Sequence, residues 1–167
     1  ITTPMGNNFS NTVISNVGNM KNMGVEFNLN FIPIEKQDMR WTINVNGTYQ
    51  KTEITKLTND DSTYLGVQTG ANMGGTGGYT SLHRVGYAPY TYYLYQQAYD
   101  ENGKAIQNVL VDRDGDGSIT EADRYVTGKS ITPKFFFGLS SQFTYKKWDF
   151  GFNAHGSFGG YALNRIA

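Results

Sequence analysis

The amino-acid sequence predicts an all-β fold: an antiparallel transmembrane β-barrel segment that is part of a larger barrel and carries long extracellular loops. Four stretches alternate apolar and polar residues almost without error, and successive side chains of a strand point to opposite faces. The apolar positions are largely aromatic, whereas the polar positions hold Asn, Thr, Gln, Ser, Gly and Asp. The connections between the stretches are short, very long and short again. This combination is typical of a wall with lipid on one side and a watery lumen on the other.

The four stretches predict strands near residues 22–31, 39–51, 135–145 and 148–158, with the second extending through Ile54. A strand of about eleven residues tilted by about 45° rises roughly 25 Å, which is the height of the apolar band of a membrane barrel. The third strand shows the expected division most clearly. Its lipid-facing set is Phe135, Phe137, Leu139, Phe143 and Tyr145, and its lumen-facing set is Phe136, Gly138, Ser140, Gln142 and Thr144.

Two short connections and one long region separate these strands. Residues 32–38 predict a short polar turn, since Pro33 cannot donate to a strand ladder. A tight turn at Lys146 and Lys147 places Tyr145 and Trp148 at the membrane interface as girdle aromatics. Residues 59–134 form the long outer loop region.

Within that region the sequence predicts three features. Residues 59–88 are irregular and rich in glycine, and loops of this length are usually functional or disordered. Residues 90–99 form a tyrosine-rich strand, which an Asn102-Gly103 turn joins to a partner at residues 106–111. An acidic loop follows from residue 112 to residue 123.

Composition excludes several classes of protein. The 167 residues are 38% hydrophobic, and no run of about 18 apolar residues exists that could form a membrane-spanning helix. The net charge is zero and there is no basic cluster, so nucleic acid is not an expected partner. The absence of cysteine fits export to an oxidising compartment. Because the chain begins at Ile1 without a signal peptide, we expect an internal piece of a longer protein.

The acidic loop matches the spacing of a twelve-residue calcium loop, with carboxylates at positions 1, 3 and 5 and Gly117 at position 6. Hard cations bind several oxygens at about 2.4 Å, and this spacing wraps three carboxylates around one point. Position 12 is an aspartate instead of the usual bidentate glutamate, and no helix precedes the loop. We therefore expect a structural calcium ion or, alternatively, an Asx-rich turn stabilised by its own hydrogen bonds. The candidate ligands are Asp112, Asp114, Asp116, Ser118, Thr120 and Asp123.

Other candidate sites favour structural roles. The glycine run at residues 70–78 is not followed by Lys-Ser/Thr and a helix, so it is not a phosphate loop. His83 and His155 lack partners at metal or triad spacing. The tyrosines of residues 87–95 either form a sugar-stacking platform or pack beneath the outer loops, and we favour packing. No pair of nucleophile and base and no paired catalytic carboxylates stand out, so we do not expect an enzyme.

Several motifs resemble a known family. Residues 16–26 are similar to the N-x-G-x-x-x-N-x-G-x-E signature of SusC/RagA-type TonB-dependent outer-membrane transporters. The resemblance departs at residues 135–137, where three consecutive phenylalanines replace a more polar strand start. Elsewhere in the chain, further segments resemble the family and occur in the same order as the family's motifs. They are Trp41 with its strand, residues 85–89, residues 112–117, Asp123, Gly128, residues 133–134, Gly138, residues 148–150 and residues 156–164.

The resemblance implies a piece from the C-terminal part of a barrel of about 22 strands with a plugged lumen. It also implies import of glycans or peptides, driven through TonB by an energy-coupling complex that contacts regions outside this chain. A SusD-type surface lipoprotein and outer-membrane lipid are the remaining implied partners, in the cell outer membrane of a Bacteroidetes-like Gram-negative organism. The alternative interpretation is a secreted calcium-binding β-sandwich module that binds carbohydrate.

Overall fold

The computed structural model describes residues 18–57, 64–72 and 78–164. Within these ranges the chain forms β strands and one 3₁₀ turn at Glu121–Asp123. The strands are β1 (Asn19–Lys36), β2 (Met39–Lys56), β3 (Val67–Asn72), β4 (Tyr79–His83), β5 (Thr91–Leu94), β6 (Gln97–Tyr99), β7 (Ala105–Leu110), β8 (Tyr125–Ser130), β9 (Phe135–Tyr145) and β10 (Trp148–Phe158). Among the described residues, none forms a helix that could cross a bilayer.

Three antiparallel sheets contain these strands. The first, which we call the wall, has the order β1-β2-β9-β10. The second, the loop sheet, has the order β3-β4-β5-β8, and β6 pairs with β7 as a separate ribbon. Since β2 pairs directly with β9, all of the loop sheet is inserted between two neighbouring strands of the wall. The antiparallel all-β fold expected from the sequence is confirmed.

The register of the wall gives it one apolar face and one polar face. Odd-numbered residues of β1, from Lys21 to Phe31, pair with odd-numbered residues of β2, which pair with odd-numbered residues of β9, and these pair with even-numbered residues of β10. The alternation of each strand is therefore in phase with that of the next. The expected division of β9 into two opposite sets of residues is confirmed by this register. Two neighbouring rows of the apolar face, read from β1 to β10, are Val25, Tyr49, Phe135, Phe158 and Phe27, Gly47, Phe137, Gly156.

The apolar face of the wall is uncovered. Phe150 and Phe152 are 58% and 56% exposed, and large apolar side chains of all four strands lie exposed beside them. In a β-sandwich these rings would interdigitate with a second sheet in a dry interior. The sandwich alternative is therefore wrong, and the exposed face is of the kind that meets a membrane or a partner.

One polar side chain on the apolar face has a specific partner. Ser141 pairs with Ile43 of β2, and the indole Nε1 of Trp41 donates a hydrogen bond to its hydroxyl oxygen at 2.9 Å. A hydroxyl without a partner is costly in apolar surroundings. The Trp41 indole thus allows a serine among aromatic and aliphatic neighbours.

The turn predicted at residues 32–38 is much shorter in the structure, so the predicted bounds are wrong. β1 continues through Pro33 to Lys36, and only Gln37 and Asp38 form the turn. The ladder is irregular between Phe31 and Ile34, where two residues of β1 stand opposite one of β2. A bulge leaves a residue without a ladder bond, and proline is tolerated there because it has no N–H to offer.

The loop region also differs in detail from the prediction. The described residues between 64 and 134 form six short strands, and the single strand expected at residues 90–99 is divided between β5 and β6 in different sheets. The hairpin at Asn102 and Gly103 is confirmed, since β6 pairs with β7 and Gly103 has a φ of 76°. Residues 1–17, 58–63 and 73–77 lie outside the described ranges, and with them parts of the expected N-terminal and glycine-rich loops.

Candidate functional site

The polar face of the wall is lined by amides and hydroxyls. The row Asn30, Asn44, Ser140, Asn153 crosses all four strands, and the Asn44 side-chain amide donates to the Ser140 hydroxyl at 3.3 Å. The adjoining row ends at His155, opposite Gly138. These rows form a hydrophilic surface without carboxylates or ammonium groups, which suits contact with water and neutral polar groups.

The loop sheet is attached to the end of the wall that lies opposite the two short turns. The amide of Ile54 on β2 donates to the carbonyl of Tyr87, and the amide of Gly86 donates to the carbonyl of Ile54, both at 2.9 Å. The Tyr92 hydroxyl donates to the carbonyl of Tyr161 at 3.0 Å, beyond the end of β10. These contacts hold the loop sheet over one end of the wall.

Three of the six predicted ion ligands lie together. Carboxylate oxygens of Asp112, Asp114 and Asp116 lie within 4.8 Å of one another on an exposed loop. Asp112 also organises the loop backbone, because its two oxygens accept the amides of Gly115 and Gly117 at 2.7 and 2.8 Å. Both glycines have φ near 80°, a conformation that other residues rarely adopt. The exposed carboxylates are a donor set that fits a hard cation.

The other three predicted ligands make contacts within the loop. The Ser118 amide donates to Asp116 at 2.7 Å, and the Thr120 hydroxyl caps the 3₁₀ turn by accepting the Ala122 amide at 3.2 Å. Asp123 is fully buried, and its two oxygens accept the amides of Arg113 at 2.6 Å and Thr120 at 2.7 Å. The Thr120 amide, followed by that of Arg113, lowers the pKa of Asp123 because both stabilise the carboxylate. Asp123 therefore closes the loop by holding its two ends together.

Arg124 is the important residue that the sequence did not predict. Its side chain is wholly buried and donates to the carbonyls of Tyr79 on β4 and Tyr93 on β5, the latter at 2.7 Å. The guanidinium also lies 4.1 Å from the centre of the Tyr93 ring and forms an ion pair with Glu121 at 3.3 Å. One side chain thus joins two strands of the loop sheet to the end of the acidic loop. The only sequence signal for this role is that an arginine directly follows the acidic loop, and this position does not predict that its side chain is buried.

The tyrosine-rich segment is buried only in part: Tyr92 and Tyr93 pack as the favoured interpretation predicts, whereas Tyr90 is 41% exposed. Tyr92 and Tyr93 are 8% and 6% exposed, and burial raises the pKa of the Tyr93 phenol. His83 lies against the ring of Tyr90, with ring centres 4.7 Å apart, and its Nε2 has no hydrogen-bond partner within the described ranges. Burial lowers the pKa of His83, since a charged imidazole would lose its solvation there.

An antiparallel wall with one exposed apolar face, one amide-lined face and long loops at one end defines the class of β-barrel membrane proteins. The chain is 40% identical over 159 residues to the TonB-dependent receptor SusC of Bacteroides thetaiotaomicron, a match that covers 95% of this chain and 16% of that protein. It is 29% identical to the TonB-dependent receptor P3 of Formosa agariphila, over 90% of this chain and 16% of that protein. The chain belongs to the SusC/RagA-type TonB-dependent receptors and spans about 16% of the length of these curated relatives.

Solved structures agree on the fold. The RagAB peptide importer in its closed-closed state superposes with a TM-score of 0.62 and 21% identity, over 87% of this chain and 16% of that chain. The open-open state gives a TM-score of 0.60 and 20% identity, over 86% of this chain and 15% of that chain. No family model matches the sequence. The matched relatives are receptors and transporters, not enzymes.

Proposed function

We propose that this chain is a piece from the C-terminal part of the barrel of a TonB-dependent outer-membrane transporter that imports glycans or other nutrient oligomers. The observation that carries the proposal is the continuous register of the wall, which separates an aromatic face from an amide face across four strands. β9 has 11 residues and would rise roughly 25 Å at a tilt of about 45°, which matches the apolar band of a barrel. The apolar face lies against lipid and the amide face lines the lumen.

The loop sheet is the part that meets the outside. It lies at the end of the wall opposite the two-residue turns, and in membrane barrels short turns are periplasmic and long loops are extracellular. We propose that a SusD-type lipoprotein caps this end and that TonB acts through parts of the protein outside this chain. The identity to SusC, a TonB-dependent receptor, supports the role of TonB, and the fold shared with the RagAB peptide importer is compatible with an oligomer as cargo.

Fractionation and growth of the parent organism test the proposal with the full-length protein. We expect it in the outer-membrane fraction, as a band whose mobility on a gel changes on heating. Deletion should abolish growth on one glycan or peptide oligomer and leave growth on the corresponding monomer unchanged. Recovery of the protein in a soluble fraction, or uptake of every oligomer by the deletion strain at the normal rate, would contradict the proposal.

For the acidic loop we propose calcium in a structural role. The support is the grouping of three exposed carboxylates, with Asp112 and Asp123 already fixing the backbone around them. The test is calorimetry of calcium with the full-length protein in detergent. Asp114→Asn combined with Asp116→Asn should abolish the heat of binding, whereas Asp100→Asn, in the β6–β7 turn, should preserve it. Absence of binding by the unmodified protein at about 1 mM calcium, the weak limit for extracellular sites, would reject the ion.

A further inference from the structure

The apolar face of the wall has a depression near the end that carries the loops. Its volume is about 490 Å³, within the range of about 300–1,000 Å³ that small-molecule sites occupy. It extends over all four strands, so its central part does not depend on the edges of the sheet. The side chains that line it on the apolar face are Val25, Phe27, Tyr49, Phe135, Phe137 and Phe158.

Two glycines shape the row of the wall in which the depression lies, and one of them, Gly47, lines it. Phe27 pairs with Gly47 and Phe137 pairs with Gly156, so phenylalanine and glycine alternate along one row of the wall. A Cβ added at Gly47 or Gly156 would lie 2.4 or 2.3 Å from the neighbouring ring, which shows that each ring lies flat over its glycine. Phe137 also stacks on Phe158, with ring centres 5.5 Å apart and planes inclined by 10°. The flat rings leave a shallow apolar groove between the taller side chains of the adjoining row.

Basic side chains lie on the same face, directly beyond the groove. The next row toward the loops after Val25 and Tyr49 consists of Met23 and Lys51, which pair with each other. The row after that consists of Lys21 and Glu53. Lys51 and Glu53 form an exposed ion pair at 3.0 Å, which leaves Lys21 as the excess positive charge of this group. In a strand tilted by about 45° these rows lie at the height where acyl chains give way to headgroups.

We propose that the groove binds one acyl chain of an anionic outer-leaflet lipid whose phosphate lies against Lys21 and Lys51. The inference rests on the proposed membrane orientation and adds a lipid site to it. Three observations support it together: a shallow apolar groove, its position at the outer end of the lipid-facing surface, and a net positive charge at the height of the headgroups.

The experiment measures phosphorylated lipid that stays with the full-length protein after purification in mild detergent, by native mass spectrometry. Lys21→Gln with Lys51→Gln should lower the retained lipid about fivefold for each lysine, the effect of one cation near an anionic surface. Phe137→Ala should lower it as well by opening the groove. The matched controls are Lys146→Gln and Phe150→Ala, which change the same residue types near the opposite end of the wall.

The outcomes separate this inference from the proposed function. If heat-modifiable protein is recovered from the outer membrane and all variants retain equal lipid, the lipid site is rejected and the transporter proposal stands. A second copy of the chain cross-linked through Phe27 or Phe158 would also reject it, since the groove would then be a protein interface. Recovery from a soluble fraction would reject the proposed function itself. Because Lys21 and Lys51 are exposed, their replacement keeps the test valid if Phe137→Ala fails to assemble.

Discussion

The wall and the loop sheet are built on opposite principles. In the wall, both faces of the sheet are open, and residues as large as Trp148, at 67% exposure, have no cover. In the loop sheet, Leu82 is completely buried, and Thr91, Asp123 and Arg124 are buried with it. The wall therefore depends on its surroundings for burial of its apolar side chains, whereas the loop sheet encloses a core of its own.

The difference also concerns the kind of interaction that holds each region together. The wall relies on a long ladder, and its side-chain bonds, such as Asn44 to Ser140, are only partly buried. The loop sheet has short strands, and buried polar groups join them: Arg124 to two carbonyls and Asp123 to two amides. Such polar networks are stabilising when every member has a partner and costly when one is removed. We expect the two regions to respond to different perturbations.

The largest effect should follow loss of the buried guanidinium. Arg124→Met removes the donor to the carbonyls of Tyr79 and Tyr93, and loss of the donor should cost about 1–3 kcal/mol for each of these two acceptors. Glu121 also loses its ion pair, but its side chain is 52% exposed, so this loss adds little. Hydrogen exchange of the β4, β5 and β8 amides in the full-length protein should accelerate accordingly, while exchange in the wall stays unchanged.

Arg113→Met is the matched control. Arg113 also lies over a tyrosine, with its guanidinium 4.7 Å from the centre of the Tyr125 ring, but it is exposed. Its replacement should change exchange rates little, since exposed contacts of this kind contribute about 0.5–1 kcal/mol. Equal effects of the two replacements would mean that burial of Arg124 does not determine the stability of the loop sheet.

The next largest effect should occur in the wall and depend on the face. Leu139→Arg places a charge in the middle of the apolar face and should cost about 2–4 kcal/mol in a bilayer. Ser140→Arg, one residue further on, places the same charge on the polar face and should cost much less. Urea titration of the full-length protein refolded into lipid vesicles measures both, and a larger loss for Ser140→Arg would reverse the assignment of the two faces.

The sequence predicted the wall well because its signal is repeated. Each strand alternates over about eleven residues, and a slip of one residue would place every ring on the polar face. The prediction from single residues was wrong at Pro33. This proline suggested a turn, but β1 continues through it by means of a bulge. The strand β8 was missed because Tyr125–Ser130 contains Gly128 and Lys129 and has no alternation.

The candidate site was predictable only in part, because sequence spacing shows which residues are near each other along the chain but not which distant groups they contact. Sequence spacing identified Asp112, Asp114 and Asp116, which the structure groups together. The same spacing could not show that Asp123 binds backbone amides, since a carboxylate at that position can hold either an ion or the chain. Burial of Arg124 depends on carbonyls from strands 31 and 45 residues away, and no local pattern encodes such contacts.

A smaller effect should follow loss of the hydrogen bond on the apolar face. Trp41→Phe removes the donor to Ser141 and leaves its hydroxyl among apolar neighbours, which should cost about 1–2 kcal/mol by the same urea titration. Adding Ser141→Ala should recover most of this loss, because the hydroxyl without a partner is then gone. If the double variant is as unstable as Trp41→Phe, the indole ring stabilises the wall by packing and not through its N–H group.

The smallest effect should come from mild acid and should separate the two regions without changing the ladder of the wall. Burial lowers the pKa of His83 in the folded protein, so the unfolded loop sheet binds a proton more readily than the folded one. The contribution of His83 to the stability of the loop sheet is therefore fully present above the ordinary histidine pKa of about 6.5 and decreases as the pH falls below it.

Proteolysis of the loop sheet should accelerate between about pH 7.5 and pH 5.5 in the unmodified protein and change less with pH in His83→Gln. His155→Gln, on the polar face of the wall, is the control and should leave the acid response of the loop sheet intact. An identical pH profile in His83→Gln would show that another group causes the acid response, and the His83 contact with Tyr90 would then be packing alone.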